Sequence, residues 1–128
     1  MSKLAKEKAK MQTRMANRMQ LSVAFERLFL FGASCVLFIH SLACLWVFLA
    51  YENKTNDEPN WIDANGFEYK TITQLYIIAV YFTVTTITTV GYGDISATET
   101  NERLLGILTM LIGVIAFSFS TGALSSII

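Results

Sequence analysis

The sequence predicts an all-α membrane protein: two transmembrane helices with a re-entrant helix and loop between them. Three observations carry that prediction. The chain has 128 residues, 53% of them hydrophobic, and the apolar residues are concentrated in runs rather than spread as in a soluble core. Two of these runs, Leu28 to about Ala50 and Leu104 to Ile128, are long enough to cross a bilayer with some tilt. Between them, Thr71 to about Thr88 is too polar and too short to span. The length allows one domain.

Residues 1–27 are polar, rich in Lys, Ala, Met and Gln, and free of Gly and Pro. They carry seven basic residues (Lys3, Lys6, Lys8, Lys10, Arg14, Arg18, Arg27) against Glu7 and Glu26, a net charge of +5 that the formal zero of the whole chain conceals. A basic helix is expected here. Leu4, Met11, Met15, Met19 and Leu21 fall near helical spacing, which fits a helix lying at a lipid surface or against neighbouring subunits. A partly disordered basic tail is the plainer alternative. It is not a secretory signal, because the apolar run that follows is too long and lacks a small-residue cleavage site. Anionic lipid is the partner such a charge would select.

The first span is placed at 28–50. Trp46 and Tyr51 mark its outer edge, where aromatic rings favour the membrane interface. His40 is the ionisable group inside it; a polar residue in a span needs a partner, so a neutral His40 hydrogen-bonded to the re-entrant segment is expected in preference to a proton sensor. Cys35 and Cys44 are nine positions apart, on opposite helix faces at about 100° per residue. They read as two small buried residues, not a disulfide or a metal site.

Residues 51–70 form an outer loop with the single Pro, Pro59, and the turn dipeptide Asn65-Gly66. Asn53-Lys54-Thr55 fits an N-glycosylation acceptor. Residues 71–88 hold six Thr between Ile, Val, Tyr and Phe; propensity alone favours a strand, whereas the membrane context favours a helix that dips in and returns. In the second span, 104–128, Gly106, Gly113 and Gly122 permit close helix packing or bending. Positive charge before the first span places the N-terminus in the cytoplasm and the acidic loops outside, where they would concentrate cations.

Residues 89–94 read Thr-Val-Gly-Tyr-Gly-Asp. A dehydrated cation must be offered oxygens in place of its water. Backbone carbonyls supply them when consecutive peptides turn their oxygens to one axis, which Gly91 and Gly93 can allow through positive φ. A Gly-rich turn closed by an Asp cap is the plainer reading of the same residues. The full hexapeptide, lying between two apolar spans and after a Thr-rich stretch, resembles the selectivity filter of potassium channels, for which this sequence is the standard example. The resemblance extends from about Arg27 to Ile128 and is nearest to the ether-à-go-go and cyclic-nucleotide-regulated branch of the voltage-gated superfamily. His40-Ser41-Leu42-Ala43-Cys44-Leu45-Trp46 is similar to the His-x-x-Ala-Cys-x-Trp of that branch's fifth helix. Glu102-Arg103 matches an acid-base pair at the start of the sixth, and Gly113 has the spacing of the gating-hinge glycine.

The chain also departs from the pattern. Tyr81 and Phe82 stand where many relatives carry two Trp, Ala97 where Pro often follows the filter, and Ser120-Thr121-Gly122 where classical voltage-gated channels carry Pro-x-Pro, which implies a straighter inner helix. No arginine-repeat voltage sensor precedes the first span and no cyclic-nucleotide-binding domain follows the second. An excised pore or part of a longer channel is therefore expected.

The resemblance implies a multi-pass potassium channel pore of the cell membrane, assembled as a homotetramer because one filter strand cannot enclose an ion. Thr89, Val90, Gly91, Tyr92 and Gly93 would form the filter, with K+ held at Thr89, Val90, Gly91 and Tyr92. Tyr92 would pack behind it against the pore helix, and Asp94, Thr85, Tyr81 and Phe82 would support it. No organic cofactor and no nucleic acid partner are implied. Two alternatives differ in kind: a non-selective cation pore, which needs a degraded filter, and a non-conducting anchor built from the two spans. No nucleophile-base set, phosphate loop or metal-ligand cluster supports an enzyme.

Overall fold

The computed structural model describes residues 2–127, without the side chains of Leu124 and Ile127. Met1 and Ile128, the outer limits of the expected N-terminal helix and second span, lie outside the described residues. Four helices follow in order: α1 (Lys3–Thr55), α2 (Trp61–Ala64), α3 (Ile72–Ile87) and α4 (Thr100–Ile127). Both α1 and α4 are long and apolar enough to cross a membrane.

The first helix runs 53 residues without a break at Arg27, so the basic segment and the first span are one rod. Nothing between Ser2 and Phe31 can interrupt it, since Gly and Pro are absent there and Ala, Lys, Met, Arg and Gln all favour helix. Ser2 caps its start by accepting the Ala5 N–H. Its other end runs past the expected limit at Ala50, to Thr55. The loop then turns through Asp57, held at φ 57°, and Pro59, and the short α2 begins on Asn60, whose side-chain oxygen accepts the Asp63 N–H at 2.8 Å.

The Thr-rich segment is helical, and its start is a capping box. The Thr71 hydroxyl accepts the Gln74 N–H, and the Gln74 side chain accepts the Thr71 N–H at 3.0 Å. Its hydroxyls fold back on the helix: Thr83 donates to the Ala79 carbonyl, Thr85 and Thr86 to that of Phe82, and Thr88 to that of Val84. These four threonines thus satisfy themselves locally, which is how they are tolerated at membrane depth.

Gly113 is the fourteenth residue of the 28-residue α4, at its midpoint. A Cβ there would lie 3.0 Å from the Ile87 Cα and 3.1 Å from its carbonyl oxygen. The C-terminal end of α3 therefore abuts the middle of α4. At 16 residues, about 24 Å, α3 enters to mid-depth and stops. The chain returns through coil at 88–99. This is the re-entrant geometry the sequence predicts.

The core occupies only the half near the C-terminal end of α1, where Ala43, Trp46, Val47 and Ala50 of α1 meet Trp61 and Ile62 of α2, Leu75 and Ala79 of α3, and Ile95. Trp46 is 1% exposed, at the centre of this core and not at the lipid interface. The cause is aromatic: its ring stacks between Phe82 (centroids 4.2 Å apart) and Trp61 (5.6 Å). Asn53 is also buried, and its amide exchanges two hydrogen bonds with Asn101, at 2.9 and 2.6 Å. The expected glycosylation acceptor is thus a structural residue with its nitrogen occupied. Cys44 is exposed and Cys35 half-buried, so neither is the buried small residue expected; both are free thiols.

Candidate functional site

The segment after α3 has an alternating backbone. Thr89 (φ 64°), Gly91 (54°) and Gly93 (78°) lie in the left-handed region, and Val90 and Tyr92 between them do not. Changing hand at every second residue is what a one-sided row of carbonyls requires. Glycine takes this conformation at little cost. Thr89 does not: a β-branched residue there carries strain of about 1–3 kcal/mol, the kind of outlier that gathers at functional sites. Residue type alone predicts positive φ at the two glycines and not at Thr89. The signal that finds it is register, since position 89 is in step with 91 and 93.

Both ends of the segment are tied to α3. At the inner end the Thr89 N–H donates to the Thr86 carbonyl (3.2 Å) and the Gly91 N–H to that of Thr85 (3.1 Å). At the outer end the Tyr81 hydroxyl donates to the Asp94 carboxylate at 2.8 Å. The other Asp94 oxygen accepts the Ile95 N–H, at 3.1 Å. Asp94 is therefore joined to α3 through the Tyr81 phenol. Thr85 contributes its carbonyl, and Phe82 is the α3 end of the aromatic stack with Trp46 and Trp61. The C-terminal carbonyls of α3, the negative end of its dipole, converge where the segment begins.

Tyr92 departs from expectation. Within one chain it is 72% exposed and packs on nothing behind the segment; Val90 is 52% exposed. On the opposite flank a groove of about 710 Å³ runs past Phe82, Thr85, Gly91, Gly93, Ile107 and Val114.

His40 meets the re-entrant helix, its Nδ1 lying 2.6 Å from the Tyr76 hydroxyl. The expected contact between the first span and the re-entrant segment is made. Sequence reasoning missed Trp61, Asn101 and the burial of Glu102. Glu102 and Arg103 are neighbours that diverge: the acid is buried and the base exposed. The Trp61–Glu102 and Asn53–Asn101 hydrogen bonds join residues 41 and 48 positions apart, beyond the reach of local spacing. Among the described residues no cluster of three or more metal-ligating side chains is present.

A family model described as "Ion channel" matches residues 28–128. Potassium channel KAT6 of Oryza sativa subsp. japonica is 30% identical over 122 residues, covering 94% of this chain and 20% of that protein. Voltage-gated inwardly rectifying potassium channel KCNH6 of Rattus norvegicus is 30% identical over 115 residues, 79% of this chain and 12% of the relative. Potassium voltage-gated channel unc-103 of Caenorhabditis elegans is 29% identical over 116 residues, 79% and 14% respectively. The chain spans a fifth or less of the length of these three relatives.

Proposed function

Since this chain belongs to the ion-channel family, as an integral membrane protein whose match spans 28–128, we propose that it forms a potassium-selective pore with residues 89–94 as the filter. The observation that carries this reading is the alternating hand of Thr89, Gly91 and Gly93 at the end of a helix that stops at mid-membrane depth. Carbonyls of Thr89, Val90, Gly91 and Tyr92, with the Thr89 hydroxyl, would replace the hydration shell of K+ at successive sites. Occupied neighbouring sites repel, so ions advance together. Gly93 closes the row, and Asp94, Tyr81, Thr85 and Phe82 hold it in place.

One strand cannot surround an ion, and four around an axis can. The exposed Val90 and Tyr92 and the groove on the other flank fit that assembly, with each subunit's aromatic ring seated on its neighbour. The +5 end of α1 is cytoplasmic by the positive-inside rule, where anionic lipid headgroups would complement it. The membrane is the cell membrane, the parent protein a longer gated channel, and Gly113 the place where α4 bends.

The test is bilayer recording of the purified protein with potassium and sodium on opposite sides. The reversal potential is expected to follow the potassium gradient in the wild type. Gly91→Ala should bring the potassium-to-sodium permeability ratio towards one. No atom lies within 4 Å of a Cβ built on Gly91, so the defect in this variant is its φ of +54° and not a clash. Equal permeability in the wild type would remove the claim of selectivity.

A further inference from the structure

Glu102, in the first turn of α4, is 0% exposed, the most enclosed acid among the described residues. Both of its carboxylate oxygens are acceptors. Oε2 takes the Trp61 N–H at 3.0 Å, and Oε1 takes the N–H groups of Glu99 at 3.1 Å and Thr98 at 3.4 Å. The Glu99 contact is the reciprocal half of a capping box and begins α4. The Trp61 contact does nothing for α4. It joins two segments 41 residues apart, the stretch that leaves the filter and the first residue of α2. Burying a carboxylate is unfavourable unless its oxygens are satisfied, and here three main-chain donors satisfy it.

Beyond Trp61 the connections continue to the ion path. The Trp61 indole N–H donates to the Trp46 carbonyl at 2.9 Å, and its ring stacks on that of Trp46. Trp46 stacks on Phe82, whose carbonyl accepts the Thr85 and Thr86 hydroxyls, and the Thr85 carbonyl holds the Gly91 N–H. Alongside, the Asn53–Asn101 amide pair clamps the end of α1 to the turn of α4 that carries Glu102.

We propose that Glu102 is a positioning residue for the filter: it fixes the strand leaving residue 94 against the aromatic stack that supports α3, and so holds residues 89–97 in their conducting shape. It touches no ion. The inference rests on the reading of 89–94 as a potassium path, and its test separates the two.

The full chain, reconstituted in lipid nanodiscs, is compared with Glu102→Gln and Glu102→Ala by hydrogen exchange, peptide by peptide, once in potassium and once in sodium. Glu102→Gln keeps the side chain's shape but turns an amide nitrogen towards main-chain donors, so it carries the test even if Glu102→Ala does not assemble. Exchange across residues 89–97 should quicken about tenfold, the effect of losing one hydrogen bond to a charged group. Potassium should reduce that acceleration by occupying and bracing the strand. Faster exchange confined to 58–64 and 98–103, with 89–97 at the wild-type rate, would overturn the proposal and leave Glu102 a local cap. No change in any segment would overturn it as well. An acceleration in 89–97 of the same size in either cation would support the brace and sink the potassium reading.

Discussion

At the scale of residues, the side-chain tether between α3 and the C-terminal end of residues 89–94 is a hydrogen bond between Tyr81 and Asp94. The donor is 40% exposed, so water competes for the bond and it stabilises less than a buried charged pair would. Tyr81→Phe should leave the single-channel current unchanged and hasten its decay when external potassium is lowered, as read from records at two potassium concentrations. Asn53 gives a second expectation. With its amide nitrogen bonded to Asn101, the triplet should stay unmodified in a glycosylating host, and endoglycosidase treatment should leave the electrophoretic mobility unshifted. Residue chemistry made the two glycines and Asp94 readable from sequence. It could not place Trp46, because an indole suits a membrane interface as well as an aromatic stack. The choice between them was made by Phe82 and Trp61, which are remote in sequence.

At the scale of elements, Gly113 separates two roles. If this glycine served bending alone, Gly113→Ala would strengthen α4 by up to about 1 kcal/mol, since alanine is the better helix former. The Ile87 backbone lies 3.0 Å from the added methyl, and backbone cannot step aside as a flexible side chain can. The substitution should therefore cost about 1–3 kcal/mol, seen as a lower melting temperature of the assembled protein. The helices themselves were largely legible. Length and polarity separated α3 from the two spans, and Thr71 and Gln74 are a recognisable start. Less visible was the unbroken course of α1, because the change of charge at Arg27 marks a change of surroundings and not of backbone. Propensity favoured a strand in 71–88, and local hydroxyl-to-carbonyl bonding together with packing on α1 and α4 overrode it.

At the scale of the whole molecule, a lone chain leaves Tyr92 and much of the apolar surface of α1 and α4 uncovered. Native mass spectrometry from mild detergent should return a four-chain species, and Tyr92→Ala should weaken it; a species of one chain would contradict the assembly. A single sequence does not tell a ring packed within its chain from one left uncovered, and Tyr92, expected behind residues 89–94, is 72% exposed. The first helix carries a different consequence. Its 53 residues extend about 80 Å, against roughly 30 Å of hydrocarbon. An unbroken helix has no hinge at which to uncouple its two ends. A tilt imposed near Lys10 is therefore coupled, along one helix, to the Trp46–Trp61 stack near its other end.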